Sequence, residues 1–179
     1  MKKSFFLLGV AVAAMTSCSN DKLLDQAEPI QKAIGFESWI NKPTKAVNDI
    51  TANNLKEFYV FGYYGTDTKV FGNDIVIATN VDGHNGWDVS VKKLWTKNEY
   101  KFAAYANGPG TGQAESEDED QIPSFANNVG VQFSSNGLSF SRYSLSNKDL
   151  IASISEDIDN SEGDKQQDVS LNFQHLLSK

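Results

Sequence analysis

The residues of this chain that could bind or transform a ligand are few and scattered. Four oxygen-bearing side chains near the C-terminus repeat much of the spacing of a calcium-binding loop, in which alternate oxygens converge on one cation. The pattern departs from that loop because its glycine, Gly163, stands one position late and an aspartate replaces the final glutamate. The stretch 157–167 therefore predicts a surface loop, with calcium binding as the alternative. The candidate ligands are Asp157, Asp159, Ser161 and Asp168.

Few residues support an enzyme. The chain has two histidines, His84 in a predicted turn and His175 at the end of the last predicted strand. An imidazole at a sheet margin, without a nucleophile or a set of metal ligands nearby, is expected to be packed or hydrogen-bonded. The glycine-rich stretch 108–112 lacks the lysine of a phosphate-binding loop, and the chain has no nucleophile elbow and no zinc-type cysteine pair. We expect a protein that is not an enzyme and has no cofactor.

The single cysteine has the most informative surroundings. Lys2 and Lys3 precede an apolar run, 5–14, which is too short to span a membrane and is typical of a secretory signal. Cys18 follows this run where cleavage would make it the new N-terminus. The arrangement resembles the lipobox of bacterial lipoproteins, whose cysteine receives a diacylglyceryl group. It predicts a signal peptide over 1–17 and a membrane lipid on Cys18; the alternative is an ordinary secretory signal.

Composition and charge narrow the class of protein further. The chain has 179 residues, 40% of them hydrophobic, and a net charge of -7. An acidic body argues against binding nucleic acid. With one cysteine there is no disulfide framework, so stability must come from an apolar core. The polar stretch 18–32 predicts a flexible tether, and 33–179 predicts one folded domain.

Short β-type segments separated by turn signals fill the predicted domain. Some alternate apolar and polar residues, and others are dense in aromatic and β-branched residues, which favours strands. No helical period is sustained over about ten residues. The pattern predicts an all-β sandwich of about seven to nine short strands with little helix. The predicted strands are 33–40, 57–64, 74–79, one beginning at Trp87, 99–106, 129–133, 138–140, 149–154 and 169–173.

Five aromatic side chains offer a second functional hypothesis. If they were exposed, they could stack on sugars, and the protein would be a surface glycan-binding lipoprotein. Core packing is the expectation for most of them, because aromatic side chains bury large areas. They are Trp39, Trp87, Trp95, Tyr63 and Tyr64.

The order of several segments resembles the fimbrillin family of the Bacteroides group, especially its minor-fimbrillin-like lipoproteins. Segments 33–36, 54–60 and 100–106 follow the lipobox in the family's order, and 149–152 precedes the last one. That last segment, 169–178, resembles the family's Leu-x-Phe-x-His-x-Leu-Ser. The resemblance implies a transthyretin-like Greek-key β-sandwich. It also implies a non-enzymatic fimbrial (pilus) structural, anchor or accessory subunit, involved in adhesion and carried as a lipoprotein on the outer membrane.

The resemblance further implies how subunits join. In polymerising members a trypsin-like protease cuts after a basic residue and removes the first strand, and another subunit donates a strand to the exposed groove. The matching residue here is Lys45, with Lys42 as a second candidate; the alternative is that both are solvated loop residues. Family members normally continue into a second β-domain, whereas this chain ends at Lys179. Polymerisation is therefore an open expectation.

Overall fold

The structure is a computed structural model that describes residues 31–41, 50–79, 86–111, 129–134, 137–144 and 148–176. These residues all belong to one compact unit, Gln31–Lys179. The ten elements that the structure bounds are all strands, so the prediction of an all-β fold is confirmed. They are β1 (Phe36–Ile40), β2 (Glu57–Tyr64), β3 (Thr68–Ala78), β4 (Trp87–Val89), β5 (Glu99–Asn107), β6 (Val131–Ser134), β7 (Gly137–Phe140), β8 (Leu150–Ile154), β9 (Ile158–Asp159) and β10 (Val169–His175).

Eight of these strands form one sheet, in the order β1-β10-β8-β5-β2-β3-β4, with β9 paired to β5. Strands β2, β3 and β4 follow one another in antiparallel pairs, and β5 returns to pair with β2. An order of β5-β2-β3-β4 is a Greek key. Strands β6 and β7 form a separate hairpin. The predicted Greek key is therefore present, and the strand that the sequence missed is β9, which lies in the predicted loop 157–167.

The main core lies between two halves of the large sheet. Phe36 of β1 is central to it, since its ring lies 6.1, 5.6 and 5.9 Å from the rings of Phe58, Phe71 and Phe102. All three contacts are edge-on, the geometry that aromatic rings favour. Phe58 also lies 5.4 Å from Phe173 of β10. The β1–β10 half of the sheet therefore faces the β2–β3–β5 half, as in a sandwich.

The hairpin of β6 and β7 covers part of the opposite face of the sheet. The ring of Phe133 lies 5.6 Å from that of Tyr63, and the ring of Phe140 lies 5.6 Å from that of Tyr105. This second apolar cluster explains why β2 is apolar at nearly every position. A strand that is buried on both faces needs a continuous apolar run rather than an alternating one.

Strand β3 is longer than its predicted form because it contains a bulge. The pairing register with β2 shifts between Val60 and Phe61, and Asn73 takes a φ of 88° at that point. Asparagine tolerates this left-handed conformation better than most residues. Asp74 supports the bulge, since its Oδ2 accepts the Gly72 N–H at 2.6 Å. The chain therefore continues as a strand through a Gly-Asn pair that is typical of a turn.

The pKa of Asp74 predicts how the stability of the protein changes with pH. Burial raises the pKa of Asp74 above its ordinary value, although the Gly72 N–H and nearby lysines act in the opposite direction. The folded protein therefore holds this proton more tightly than the unfolded chain. The contribution of Asp74 to stability is therefore largest at low pH, where its carboxyl is protonated in both states. This contribution is lost as pH rises above about 4. We expect Asp74→Asn to gain stability relative to the wild type between about pH 3 and 7, as measured by denaturant unfolding at each pH.

Asp159→Asn is the matched control, because its expected trend has the opposite sign. Hydrogen bonds from Ser161 lower the pKa of Asp159. Its stabilising contribution is therefore present above its unfolded pKa of about 4 and is lost as pH falls through the lower folded value. Parallel trends for the two variants would contradict this assignment.

Candidate functional site

The one described histidine is a packed residue at the end of a strand. The side chain of His175 is 5% exposed, and its Nδ1 lies 2.8 Å from Oδ2 of Asp149, whose side chain is 7% exposed. The same carboxylate oxygen accepts the Ile50 N–H at 2.7 Å. This pair joins the start of β8, the end of β10 and the chain that leads into β2. His175 is therefore packed, as the sequence predicted. The other histidine, His84, lies outside the described residues.

Two of the predicted calcium ligands, Asp157 and Asp168, lie beside lysines, and the other two are hydrogen-bonded to each other. Within the described residues no group of three or more His, Cys, Asp or Glu side chains could hold a metal ion. Strand β9 also passes through the predicted loop and carries Asp159. Asp157 Oδ1 lies 3.3 Å from Lys101 Nζ, Asp159 Oδ1 accepts the Ser161 hydroxyl at 2.6 Å, and Asp168 Oδ1 lies 2.9 Å from Lys32 Nζ.

We therefore expect calcium not to bind at this loop. Titration with millimolar calcium should give no heat beyond dilution in a calorimeter and should leave the melting temperature unchanged, because a ligand of the folded state would raise it. Heat of calcium binding that is observed with the wild type and is absent from an Asp157→Asn/Asp159→Asn double variant would contradict this expectation.

The five aromatic side chains do not share one surface environment. Trp95 is fully buried, and its ring lies 4.8 Å from that of Tyr100. Trp87 is half-buried and donates its indole N–H to Ser38 Oγ at 3.1 Å. Trp39, by contrast, is 61% exposed on the outer face of β1. The expectation of core packing is confirmed for Trp95. The two remaining tyrosines, Tyr63 and Tyr64, are half-buried.

Three residues with predicted roles, Cys18, Lys42 and Lys45, lie outside the described residues. Among the residues that are described, no helix is long and apolar enough to cross a membrane.

The most distinctive feature of the described residues is the seating of β1. This strand pairs in parallel with β10, from Phe36 opposite Val169 to Ile40 opposite Phe173. Every other pair among the described strands is antiparallel. We call the surface that receives residues 32–40, formed by 93–95, 166–173 and the adjoining core, the β1 seat.

The inward side chains of this segment complete the main core. Ile34 and Phe36 are each 3% exposed, and Ile40 packs against the same cluster. Glu37 and Trp39, which alternate with them, are exposed. The alternation that the sequence predicted for the first strand is therefore confirmed, and the seat has an apolar floor.

The N-terminal half of the segment is held on both sides. On one side the Ile34 N–H donates to Lys93 O at 2.8 Å, and the Trp95 N–H donates to Lys32 O at 2.9 Å. On the other side the Val169 N–H donates to Gly35 O at 2.8 Å. Beyond Asn41, which donates its N–H to Phe173 O at 3.2 Å, the chain leaves the described range until residue 50.

A polar clamp fixes the start of the segment. The Lys32 N–H donates to Gln166 Oε1 at 2.7 Å, and Lys32 Nζ lies 2.9 Å from Asp168 Oδ1. The sequence predicts Lys32 as part of the tether and Asp168 as a calcium ligand, and neither prediction indicates this contact. Its only local signal is Gly35, since a glycine inside a strand often marks a close approach of another group.

Comparison of the chain with models of protein families, with curated proteins and with solved structures found no match.

Proposed function

We propose that this protein is a non-enzymatic, lipid-anchored cell-surface protein that serves as a fimbrial subunit, anchor or accessory adhesin. The observation that carries the proposal is the attachment of β1. Its inward residue Phe36 and the preceding Ile34 complete the core, yet the strand lies at one end of the sheet order and pairs along one side with β10. Lys42 and Lys45 follow shortly after its last residue, Ile40.

A cut at these lysines would separate β1 from the body without interrupting any other described strand. Loss of β1 would then uncover one edge of β10 and the apolar floor of the seat. An open edge beside an apolar groove is the arrangement that accepts an added strand from another chain. The Greek-key sandwich agrees with the fold that the fimbrillin resemblance implies, which supports the same interpretation.

Limited trypsin treatment tests strand exchange. We expect the wild-type protein, cut after Lys42 or Lys45, to form a ladder of oligomers that resists heating in detergent. The matched control is the Lys42→Gln/Lys45→Gln double variant, which keeps β1 attached and should stay monomeric. A wild-type protein that remains an intact monomer, or a ladder that the double variant also forms, would overturn the proposal.

The lipid anchor has its own test. Cells expressing the wild-type chain should incorporate labelled palmitate into it, and Cys18→Ala should abolish that label and release the protein from the outer membrane. A Cys18→Ala protein that stays in the membrane fraction would refute the anchor while leaving strand exchange to be judged separately.

A second candidate function is glycan binding, and the exposure of Trp39 favours it. An indole that is 61% exposed on a rigid strand is suited to stacking on a sugar ring. Binding on a glycan array that is lost with Trp39→Ala but kept with Leu94→Ala, which alters another exposed apolar residue, would favour this function.

A further inference from the structure

We propose that the β1 seat is a selective peptide-binding site for an extended segment of the pattern Lys-x-Φ-Gly-Φ, where Φ is a large apolar residue. The segment would pair with 93–95 at its start and then run parallel to β10, as residues 32–40 do. This inference rests on the proposed function, because it names the class of sequence that strand exchange at this seat would accept.

The two Φ positions follow from the shape of the core. Phe36 fills a space bounded by three phenylalanine rings at 5.6 to 6.1 Å, and Ile34 belongs to the same cluster. Both side chains are 3% exposed, so a small or polar residue at either position would leave a cavity or bury an unpaired group.

The glycine between them follows from the position of Asp168. A Cβ atom on Gly35 would lie 2.6 Å from Asp168 Oδ1 and 2.9 Å from its Cγ, which is closer than nonbonded atoms approach. Gly35 has no positive φ, so its backbone does not itself require glycine. The requirement comes from space, and any side chain here must displace the Asp168 carboxylate.

The preference for lysine at the first position of the pattern comes from the same carboxylate. Asp168 Oδ1 lies 2.9 Å from Lys32 Nζ, so a side chain at position 35 that displaced the carboxylate would also disturb this ion pair. The Asp168 carboxylate thus restricts which residues can occupy two positions of the incoming segment. A shift of one residue along β10 would turn the apolar side chains outward and would move both positions away from Asp168. The register of the incoming segment is therefore fixed.

Selectivity is concentrated in this first half of the segment. Further along, Ser38 and Ile40 are half-buried, and Glu37 and Trp39 are exposed. We therefore expect the later positions to tolerate substitution.

Peptide exchange into the nicked full chain tests the inference. A recognition sequence for a site-specific viral protease replaces part of 42–49, and cleavage leaves the original β1 bound without a covalent link. A fluorescent peptide of residues 31–41 is then added in excess, and its uptake is followed by anisotropy and native mass spectrometry. We expect uptake of the wild-type peptide, about tenfold weaker binding of a Gly35→Val peptide and up to about fivefold weaker binding of a Lys32→Gln peptide. A Glu37→Gln peptide is the control and should bind as the wild type does.

An Asp168→Ala protein provides the reciprocal test. A Gly35→Ala peptide should also bind the wild-type protein more weakly than the unsubstituted peptide, and removing the carboxylate should largely abolish this penalty and that of the Lys32→Gln peptide. The inference fails if the nicked protein takes up no wild-type peptide, if Gly35→Val binds as well as the wild type, or if both penalties persist in Asp168→Ala. These outcomes differ from failure of the proposed function, which would appear as a missing oligomer ladder from the unmodified protein while selective peptide uptake remained intact.

Discussion

Replacing Phe36 with alanine should cost about 3–5 kcal/mol of the free energy of unfolding. The ring is 3% exposed and touches one ring from each of β2, β3 and β5. Its loss would remove contacts across the whole core and leave a cavity that strands on several sides would have to fill. Denaturant unfolding of the intact chain measures the change as a lower midpoint.

Glu37→Ala is the matched control for this prediction. It alters the neighbouring residue of the same strand, whose side chain is exposed, and should change stability by no more than about 0.5 kcal/mol. If Phe36→Ala were as mild as Glu37→Ala, β1 would not be part of the core in solution.

Replacing Asp149 with alanine should have the second largest effect, about 2–4 kcal/mol. The substitution leaves the buried Ile50 N–H without its acceptor, which costs about 1–3 kcal/mol, and it also removes the carboxylate that packs beside the buried His175 imidazole. Asp149→Asn should recover part of the loss, because an amide oxygen can still accept the Ile50 N–H. Thermal unfolding of the two variants beside the wild type measures the difference.

Asp157→Ala is the appropriate comparison, since Asp157 is also paired with a basic side chain but is 75% exposed. An exposed ion pair contributes up to about 1 kcal/mol. Equal losses for Asp149→Ala and Asp157→Ala would show that the buried position of the His175 pair adds nothing.

The parts of the fold that local sequence specifies were predictable. The run Glu57–Tyr64 is β2 with the bounds that its aromatic and β-branched residues predicted, and the strand expected at Trp87 begins there. Strand β6 begins at Val131 rather than at residue 129, because Gly130 takes a φ of 67° and interrupts the extended chain. This difference is small, because the residues that follow Gly130 still define the strand.

The contacts that depend on distant residues were not predictable. Nothing near Asp149 indicates that it lies beside His175, and nothing near Gly35 indicates that Asp168 approaches it. The parallel pairing of β1 with β10 is likewise set by the closure of the whole sheet. Periodicity reports which face of a strand is buried, but it does not report which strand lies beside it.

The pairing of the first strand with the last has a consequence for the order of folding. Phe36 is made long before its partner Val169. The core that Phe36 completes therefore cannot close until β10 has been made, and a contact between such distant positions slows folding. Until then the sheet has an unpaired strand edge, which a chaperone or a neighbouring chain could occupy before β10 and β1 do.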